Sequence, residues 1–240
     1  MLNIINAGID ARAGPLEHKL QSFAPLQTAD LEAVRACHDD LRTTPAGMDV
    51  APPGAGPDVV RLVVSGWAAR ARVLRDGRRQ LVQIFLPGDL IGLRLLPGSS
   101  VIALTPVRTA DAAPLATALK ARNGAHARLR VAWERLEALR QQQLLDHLVR
   151  LGRLSAYERT ANLILDLMDR HRRAGLSDGT RMPWPLTQEM VADVLGLSIV
   201  HVNRTLQQLR REELIVLRAG QLIVPDRVRL AQAACWEPAH

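Results

Sequence analysis

The 240-residue sequence has few cysteines and few aromatic residues, and each shortage excludes a class of protein. Its two cysteines, Cys37 and Cys235, are too few for a disulfide scaffold and are typical of a reducing compartment. Aromatic residues make up 3% of the chain, which argues against a platform that stacks single-stranded nucleic acid bases.

Long apolar runs and targeting signals are also missing from the sequence. No apolar run approaches the roughly 18 residues that a membrane span needs. The first ten residues, MLNIINAGID, lack the basic stretch followed by an apolar stretch that marks a secretory signal. We therefore expect a cytoplasmic protein with no membrane partner.

The charge is basic, and almost all of it comes from arginine. The formal net charge is +7 and the pI is near 10.7, while Lys19 and Lys120 are the only lysines. Arginine binds phosphate and guanine edges through two parallel hydrogen bonds more readily than lysine. The excess has two open interpretations, a polyanionic partner or the base composition of the genome.

The first half of the chain predicts an antiparallel sheet domain flanked by helices. Residues 15–45 look helical, and Thr43–Asp58 is a Pro/Gly-rich loop with one short strand near Met48. From Val59 to Val107, short β-branched runs alternate with turns, among them a hairpin turn at Asp76-Gly77. We expect an α+β protein with an N-terminal β-roll of the jelly-roll type.

A long helix is predicted from His126 to Leu151, about seven turns at 3.6 residues per turn. Apolar residues on more than one side indicate that it packs on two partners, the roll and the same helix of a second subunit. The alternative is a core helix within a single chain. Gly152 is the predicted hinge after this helix. A second helix follows, and Ser177–Pro185 is predicted to be the loop after it. The expected dimerisation residues are Leu129, Trp133, Leu136, Leu139, Leu144 and Leu148.

The C-terminal region predicts a winged helix-turn-helix. Thr187 and Ser198 are each placed to cap a helix, and Gly196 between them can adopt the left-handed backbone of a tight turn. Two short strands then surround Ala219-Gly220. In such units the second helix, here Ser198–Glu212, enters the major groove of duplex DNA.

Val202, Leu206 and Leu209 should face the first helix, which leaves the other side of the second helix for DNA. Arg204 can contact guanine O6 and N7, His201 a base or a phosphate, and Gln188 a phosphate. Four arginines and four acidic residues lie between Thr187 and Arg218, so any gain in affinity must come from placement. The candidate DNA-binding residues are Thr187, Gln188, Ser198, Val200, His201, Arg204 and Gln208.

The stretches VVSGWAARARVLRDGRRQLVQIFLPGDLIGL, LSAYERTANLILDLMDR and PLTQEMVADVLGLSIVHVNRTLQQLRREELI resemble the Crp–Fnr family of bacterial transcription regulators. The resemblance covers nearly the whole chain. It implies an effector-like β-roll unit at 1–125, a dimerisation helix at 126–151 and a DNA-binding unit at 152–240. It also implies a homodimer on two-fold symmetric operators, with RNA polymerase as a further partner.

The effector sites of that family find no match in this sequence. Gly92 is followed by Leu93 where cyclic-nucleotide binders carry glutamate, the phosphate-binding Arg-Ser/Thr-Ala unit is missing, and the spacing of Arg94 is wrong. Two distant cysteines cannot supply the four thiolates of an iron–sulfur cluster, and no haem ligand is evident. We expect no such cofactor, and we interpret Cys37–Asp40 (CHDD) as a polar helix end. An unknown effector stays open, as does a roll that is only a scaffold.

The recognition helix also departs from the family pattern, because Val200 stands where a charged residue, often glutamate, is found. Valine cannot accept a hydrogen bond from cytosine N4 but can contact a thymine methyl, so we expect a shifted operator preference.

Two other functions are alternatives to DNA binding. A metal-dependent enzyme of the cupin type needs histidines on roll strands, and none of the seven lies between Val59 and Val107, so we expect no enzyme. A ligand-binding regulatory module that acts mainly through protein partners is the alternative. A subsidiary hypothesis is that oxidation of Cys235 tunes DNA binding.

Overall fold

A computed structural model describes residues 14–38, 41–51, 60–92, 99–121 and 124–236. The first ten residues, most of the loop between Ala51 and Val60, Asp39–Asp40 and Leu93–Arg94 lie outside these ranges, and so do the expectations that rest on them. In the described residues, no helix is long and apolar enough to cross a membrane.

The N-terminal half is a roll of two four-stranded antiparallel sheets, as predicted. One sheet has the strand order β1-β8-β3-β6 and the other β2-β7-β4-β5. The strands are β1 (Arg42–Thr44), β2 (Asp49–Ala51), β3 (Arg61–Ser65), β4 (Ala68–Val73), β5 (Arg79–Phe85), β6 (Leu90–Ile91), β7 (Ser100–Ala103) and β8 (Val107–Asp111).

Local turn chemistry sets much of this topology. The hairpin between β4 and β5 turns at Asp76-Gly77, where the backbone N–H of Leu74 donates to the Arg78 carbonyl at 2.8 Å. This confirms the predicted hairpin. The segment around Met48 holds two short strands, β1 and β2, because each pairs with a distant strand, β8 or β7, that lies more than 50 residues later.

Helices flank the roll and connect it to the C-terminal half. The elements are α1 (Pro15–Gln21), α2 (Thr28–Arg35), a short 3-10 turn (Ala36–His38), α3 (Ala113–Lys120), α4 (Ala127–Arg153), α5 (Ala156–Arg173), β9 (Arg181–Pro183), α6 (Gln188–Leu195), α7 (Ile199–Arg211), β10 (Val216–Arg218), β11 (Gln221–Ile223) and α8 (Arg227–Ala233).

The break after the long helix α4 lies two residues beyond the predicted hinge. The helix continues through Gly152 and ends at Arg153. Ser155 then starts α5 with a capping box: its backbone N–H donates to the Glu158 carboxylate at 2.7 Å, and its hydroxyl accepts from the Glu158 N–H at 3.3 Å. The capping chemistry of Ser155, and not the flexibility of Gly152, therefore fixes the helix boundary.

One apolar cluster joins the roll to the C-terminal half. It includes Trp67, Leu81 and Ile84 from the roll, several residues of α5, and the inward side chains of α6 and α7. A second cluster packs α1, α2 and α3 against the first half of α4 through Leu129 and Leu136. The roll and the C-terminal helices are consequently held by a shared interior.

His171 on α5 is buried in this shared interior. Its ring centroid lies 5.4 Å from that of Trp67, and neither ring nitrogen has a hydrogen-bond partner among the described residues. Burial, helped by the nearby positive charges of Arg170 and Lys19, lowers the pKa of His171 to about 4. The neutral ring is therefore the form that the fold accommodates.

Acid should destabilise the protein through this histidine. Because the pKa of His171 is 6.5 in an unfolded chain and about 4 in the folded one, the unfolded chain takes up the proton first as the pH falls. The contribution of neutral His171 to the free energy of unfolding is complete above pH 6.5. It decreases by up to about 3 kcal/mol as the pH falls towards 4. His171→Phe should flatten the dependence of the unfolding free energy on pH, measured by urea denaturation between pH 7.5 and 4.5. Parallel profiles for the two proteins would contradict this assignment.

Candidate DNA-binding surface

The first helix of the C-terminal pair, α6, begins where the sequence predicts. The Thr187 hydroxyl accepts a hydrogen bond from the backbone N–H of Met190 at 3.2 Å and caps the helix. Gln188 follows as an exposed residue, and its Oε1 accepts from Nδ2 of Asn203 on α7 at 3.0 Å. Thr187 and Gln188 therefore lie at the solvent-facing N-terminal end of α6, beside the second helix.

A left-handed turn and a second cap join α6 to α7. Gly196 ends α6 with φ +62°, a backbone conformation that costs glycine little. The Ser198 hydroxyl accepts from the His201 N–H at 3.3 Å, and Nδ1 of the His201 ring lies 3.0 Å from the same oxygen. The predicted sequence of cap, helix, glycine turn, cap and helix is confirmed.

The two sides of α7 separate apolar from polar side chains. Val202, Leu206 and Leu209 are at most 4% exposed and pack against α5 and α6, as predicted. The candidate residues Val200 and Arg204 are exposed on the opposite side, Val200 to 60%. This helix thus uses its apolar face to hold its position and leaves the other face to a partner.

Arg204 is a cation of that face whose donors are still available. Its side chain is exposed and forms no hydrogen bond or ion pair with any residue that the structure describes. Gln208 is partly engaged, since its Nε2 donates to Glu212 Oε1 at 2.9 Å. His201 is likewise held by Ser198 at the start of the helix. Of the candidate residues on α7, Arg204 is therefore the best placed to form a paired contact with a guanine edge.

Two further residues share the face of Val200 and Arg204, and the sequence reasoning did not include them among the candidates. Gln207 and Arg211 are exposed and follow Val200 at seven and eleven residues, which brings them to the same side of a helix. The 3.6-residue period applied outward from Arg204 would have identified them. Arg211 extends the face toward the C-terminal end of α7, where a duplex backbone would pass.

The wing has three strands where the sequence predicted two. Strands β10 and β11 form the predicted hairpin around Ala219-Gly220. Strand β9, within the predicted loop Ser177–Pro185, pairs with the other edge of β11, so that Met182 lies opposite Leu222. Pro183 is exposed at the outer edge, where its missing N–H leaves the pairing intact.

Two of the four acidic residues of this region, Asp193 and Glu212, are engaged by intramolecular partners. Asp193 accepts two hydrogen bonds from Arg79 of β5, at 2.8 and 2.6 Å. Glu212 accepts from Tyr157 and Gln208; these bonds, the Tyr157 hydroxyl first, lower the pKa of Glu212. Burial, together with the carboxylate, raises the pKa of Tyr157 to about 12. Four acids and four arginines thus balance in number, but not in placement.

The same contacts fasten the helix pair to the roll. Besides the Arg79–Asp193 ion pair, Gln80 Nε2 of β5 donates to the Val194 carbonyl of α6 at 3.0 Å. Trp67 and Ile84 lie in the apolar cluster with α6 and α7 beneath these polar bonds. The orientation of α6, and through it of α7, is therefore set partly by β5.

The candidate dimerisation residues of α4 fall on different sides of the helix. Leu129 and Leu136 are at most 4% exposed because they lie in one apolar cluster with residues of α1, α2 and α3 of their own chain, and Trp133 is half-buried against the same cluster. Leu139 lines a cleft between α4 and α5. Leu144 and Leu148 are more than half exposed. Leu129 and Leu136 are buried and leave no surface for a partner, whereas Leu144 and Leu148 have exposed surface that a partner can cover.

The two cysteines differ in exposure. Cys37 is buried, and Cys235 is exposed with its thiol 3.3 Å from the Glu158 carboxylate. The hydrogen bond to this carboxylate and its negative charge raise the pKa of Cys235, which disfavours the reactive thiolate. This placement argues against the oxidation hypothesis. Within the described ranges, no three His, Cys, Asp or Glu residues are grouped to hold a metal ion.

Comparison with known proteins supports this arrangement. The profile of the Crp-like helix-turn-helix domain matches residues 158–233, which include both helices and the wing. The transcriptional activator protein FnrL of Cereibacter sphaeroides is 31% identical over 205 residues, 80% of this chain and 79% of the relative. The nitrogen fixation regulation protein FixK of Bradyrhizobium diazoefficiens is 33% identical over 180 residues, 72% of this chain and 73% of the relative.

Solved structures show the same fold. FixK2 from Bradyrhizobium japonicum superposes with a TM-score of 0.68 at 27% identity, over 83% of this chain and 98% of that one. A CRP/FNR-family regulator from Thermus thermophilus superposes with a TM-score of 0.58 at 20% identity, over 82% of this chain and 99% of that one. At that lower identity the likeness concerns the fold alone.

Proposed function

Because this chain belongs to the Crp–Fnr family of transcription regulators, and is thus not of an enzyme family, we propose that it is a cytoplasmic homodimer that binds a two-fold symmetric operator through α7. The observation that carries the proposal is the exposed face of α7, on which Arg204 has no intramolecular partner among the described residues. In this proposal residues 1–125 form an effector-like unit, 126–151 the dimerisation helix and 152–240 the DNA-binding unit. Family membership alone supports RNA polymerase as a further partner.

The contact with DNA follows from the geometry of α7. Its capped N-terminal end at Ser198 and the exposed side chains of Val200 and Arg204 would enter the major groove. The Arg204 guanidinium would donate to O6 and N7 of one guanine, and Val200 would pack on a neighbouring thymine methyl. Thr187 and Gln188 at the start of α6 would contact the phosphate backbone, which fixes the register without reading sequence.

The homodimer is supported by the second half of α4. Four apolar side chains there are 53–59% exposed and form a contiguous apolar stripe: Leu144, Leu145, Leu148 and Val149. Their spacing of one and four residues is that of a helix packed along a second helix. A stripe of this kind is uncommon on a monomer surface, and a second copy of α4 would cover it.

Selection of duplex DNA from a random pool by the purified protein, with no ligand added, tests the function. We expect a two-fold symmetric consensus whose half-sites are centred about 34 Å, or one helical turn, apart. Retention of no duplex, with or without cell extract, would instead favour the module that acts through protein partners. A consensus that emerges only with extract would show that DNA binding requires a small effector.

Arg204→Ala should weaken binding to the selected sequence by about 1–3 kcal/mol and relax the preference at one base pair in each half-site. The reason is that the variant loses a paired contact with a base. Fluorescence anisotropy against the consensus and its single-base variants measures both effects. Arg210→Ala, an exposed arginine on another side of the same helix, is the matched control and should retain the base preference. Equal weakening on every sequence would show that Arg204 contacts only phosphate.

Leu148→Glu should convert the dimer to a 26.4 kDa monomer, because it places a charge in the centre of the apolar stripe. Size-exclusion chromatography with light scattering measures the mass. The affinity for DNA should decrease when the dimer is lost. Val228→Glu introduces the same charge at a 68% exposed valine on α8 and should leave the dimer intact. A Leu148→Glu protein that stays dimeric would place the subunit interface elsewhere.

A further inference from the structure

A cleft lies where the roll, the long helix and the C-terminal half meet, and its wall is rich in cations. Lys19 comes from α1, Asp89 from the turn after β5, Arg140 from α4, and Arg170 and Arg173 from α5. The cleft therefore brings three positive side chains, those of Lys19, Arg140 and Arg170, to within 4.0 Å of one carboxylate. It lies on the side of α4 that faces its own chain, away from the exposed stripe at Leu144 and Leu148.

The single carboxylate is already saturated by its neighbours. Asp89 Oδ1 accepts from Lys19 Nζ at 2.7 Å, and Oδ2 accepts from Arg170 Nη2 at 3.0 Å and from the Leu86 N–H at 2.8 Å. These charges are largely removed from water, because the side chains of Lys19, Asp89 and Arg170 are 6–12% exposed. Little acceptor capacity remains at Asp89 for another cation.

Arg140 is the cation that this carboxylate does not satisfy. Its Nη1 donates to Glu137 at 2.5 Å, but its Nη2 is 4.0 Å from Asp89 Oδ1, too far for a hydrogen bond. Nη2 is fully buried and has no hydrogen-bond partner among the described residues. A buried guanidinium nitrogen without an acceptor is costly, and an anion beside it would remove that cost.

The excess of positive charge in the cleft also affects the pKa of Lys19. Burial lowers the pKa of its ammonium group, Asp89 opposes this effect, and the nearby charges of Arg170 and Arg140 lower the pKa further. An added negative charge in the cleft would relieve the repulsion among these three cations.

The shape of the cleft limits what can enter. Its cavity volume is about 20 Å³, which leaves room for one small group, and the cleft is partly open to solvent. Phe23, Leu136 and Leu139 form an apolar side, while Ser22 and Gln143 add polar groups. The cleft therefore suits one anionic group, with any apolar remainder of the molecule lying against these side chains.

We propose that this cleft binds an oxyanion, either free or as the carboxylate or phosphate group of a small molecule, through Arg140 Nη2 and Lys19. Its walls come from the roll, α4 and α5, so a bound anion would bridge the elements that set the position of α7. Binding would thus be linked to DNA affinity. This last step rests on the proposed function, whereas anion binding itself does not.

Thermal denaturation in the absence of DNA tests the site. Inorganic phosphate, sulfate and acetate are titrated at constant ionic strength, with chloride as the balancing anion. At least one of them should raise the melting temperature saturably. Arg140→Gln should weaken that response at least tenfold, and Arg128→Gln, at an exposed arginine of the same helix, should leave it unchanged. Arg140→Lys keeps the positive charge but replaces the guanidinium group with a single ammonium nitrogen, so it should retain an intermediate response.

Three outcomes overturn the proposal or part of it. No saturable response of the native protein to any of the three anions overturns the site. An equal response of the native and Arg140→Gln proteins shows that the effect of the anion lies elsewhere on the surface. Saturable binding that leaves the affinity for the selected duplex unchanged overturns the link to DNA and keeps the site.

Discussion

The packing of Val202, Leu206 and Leu209 into a shared interior is the interaction on which the rest of the molecule depends. These side chains hold α7 against α5 and α6, and the same apolar cluster extends through Ile84 and Trp67 into the roll. The exposed face of α7 can therefore consist of polar and charged side chains, because its stability comes from the opposite face. Any force that moves β5 or α5 is transmitted to α7 through close packing.

Charge placement complements this packing. Asp193 and Glu212 are engaged by Arg79 and Tyr157, so two of the four acids between Thr187 and Arg218 have intramolecular partners. Arg204 is left with its donors available. At the junction of the roll and α5 the balance is reversed, since Asp89 is surrounded by more positive charge than it can satisfy. The two proposals thus assign anion binding to two surfaces of one chain, the exposed face of α7 and the cleft beside α4.

The features predictable from the sequence were those whose cause is local. Caps at Thr187 and Ser198, the turn at Gly196 and the hairpin at Asp76-Gly77 depend on residues within a few positions of one another. Features that depend on distant partners were missed. Strand β9 forms because β11, about 40 residues later, offers it an edge. The periodicity of α4 showed its apolar positions but not which partner covers each, so Leu129 and Leu136 were assigned to a second subunit although they are buried in a cluster with helices of their own chain.

In the proposed complex, Arg204 of each subunit reads one guanine in the major groove. Methylation interference on the selected duplex tests it most directly, because a methyl group on guanine N7 occupies the position of the proposed hydrogen bond. We expect that methylation of one guanine in each half-site, about one helical turn apart on one face of the duplex, blocks the native protein and does not affect Arg204→Ala. Interference confined to adenine N3 in the minor groove, or the same pattern with both proteins, would contradict it.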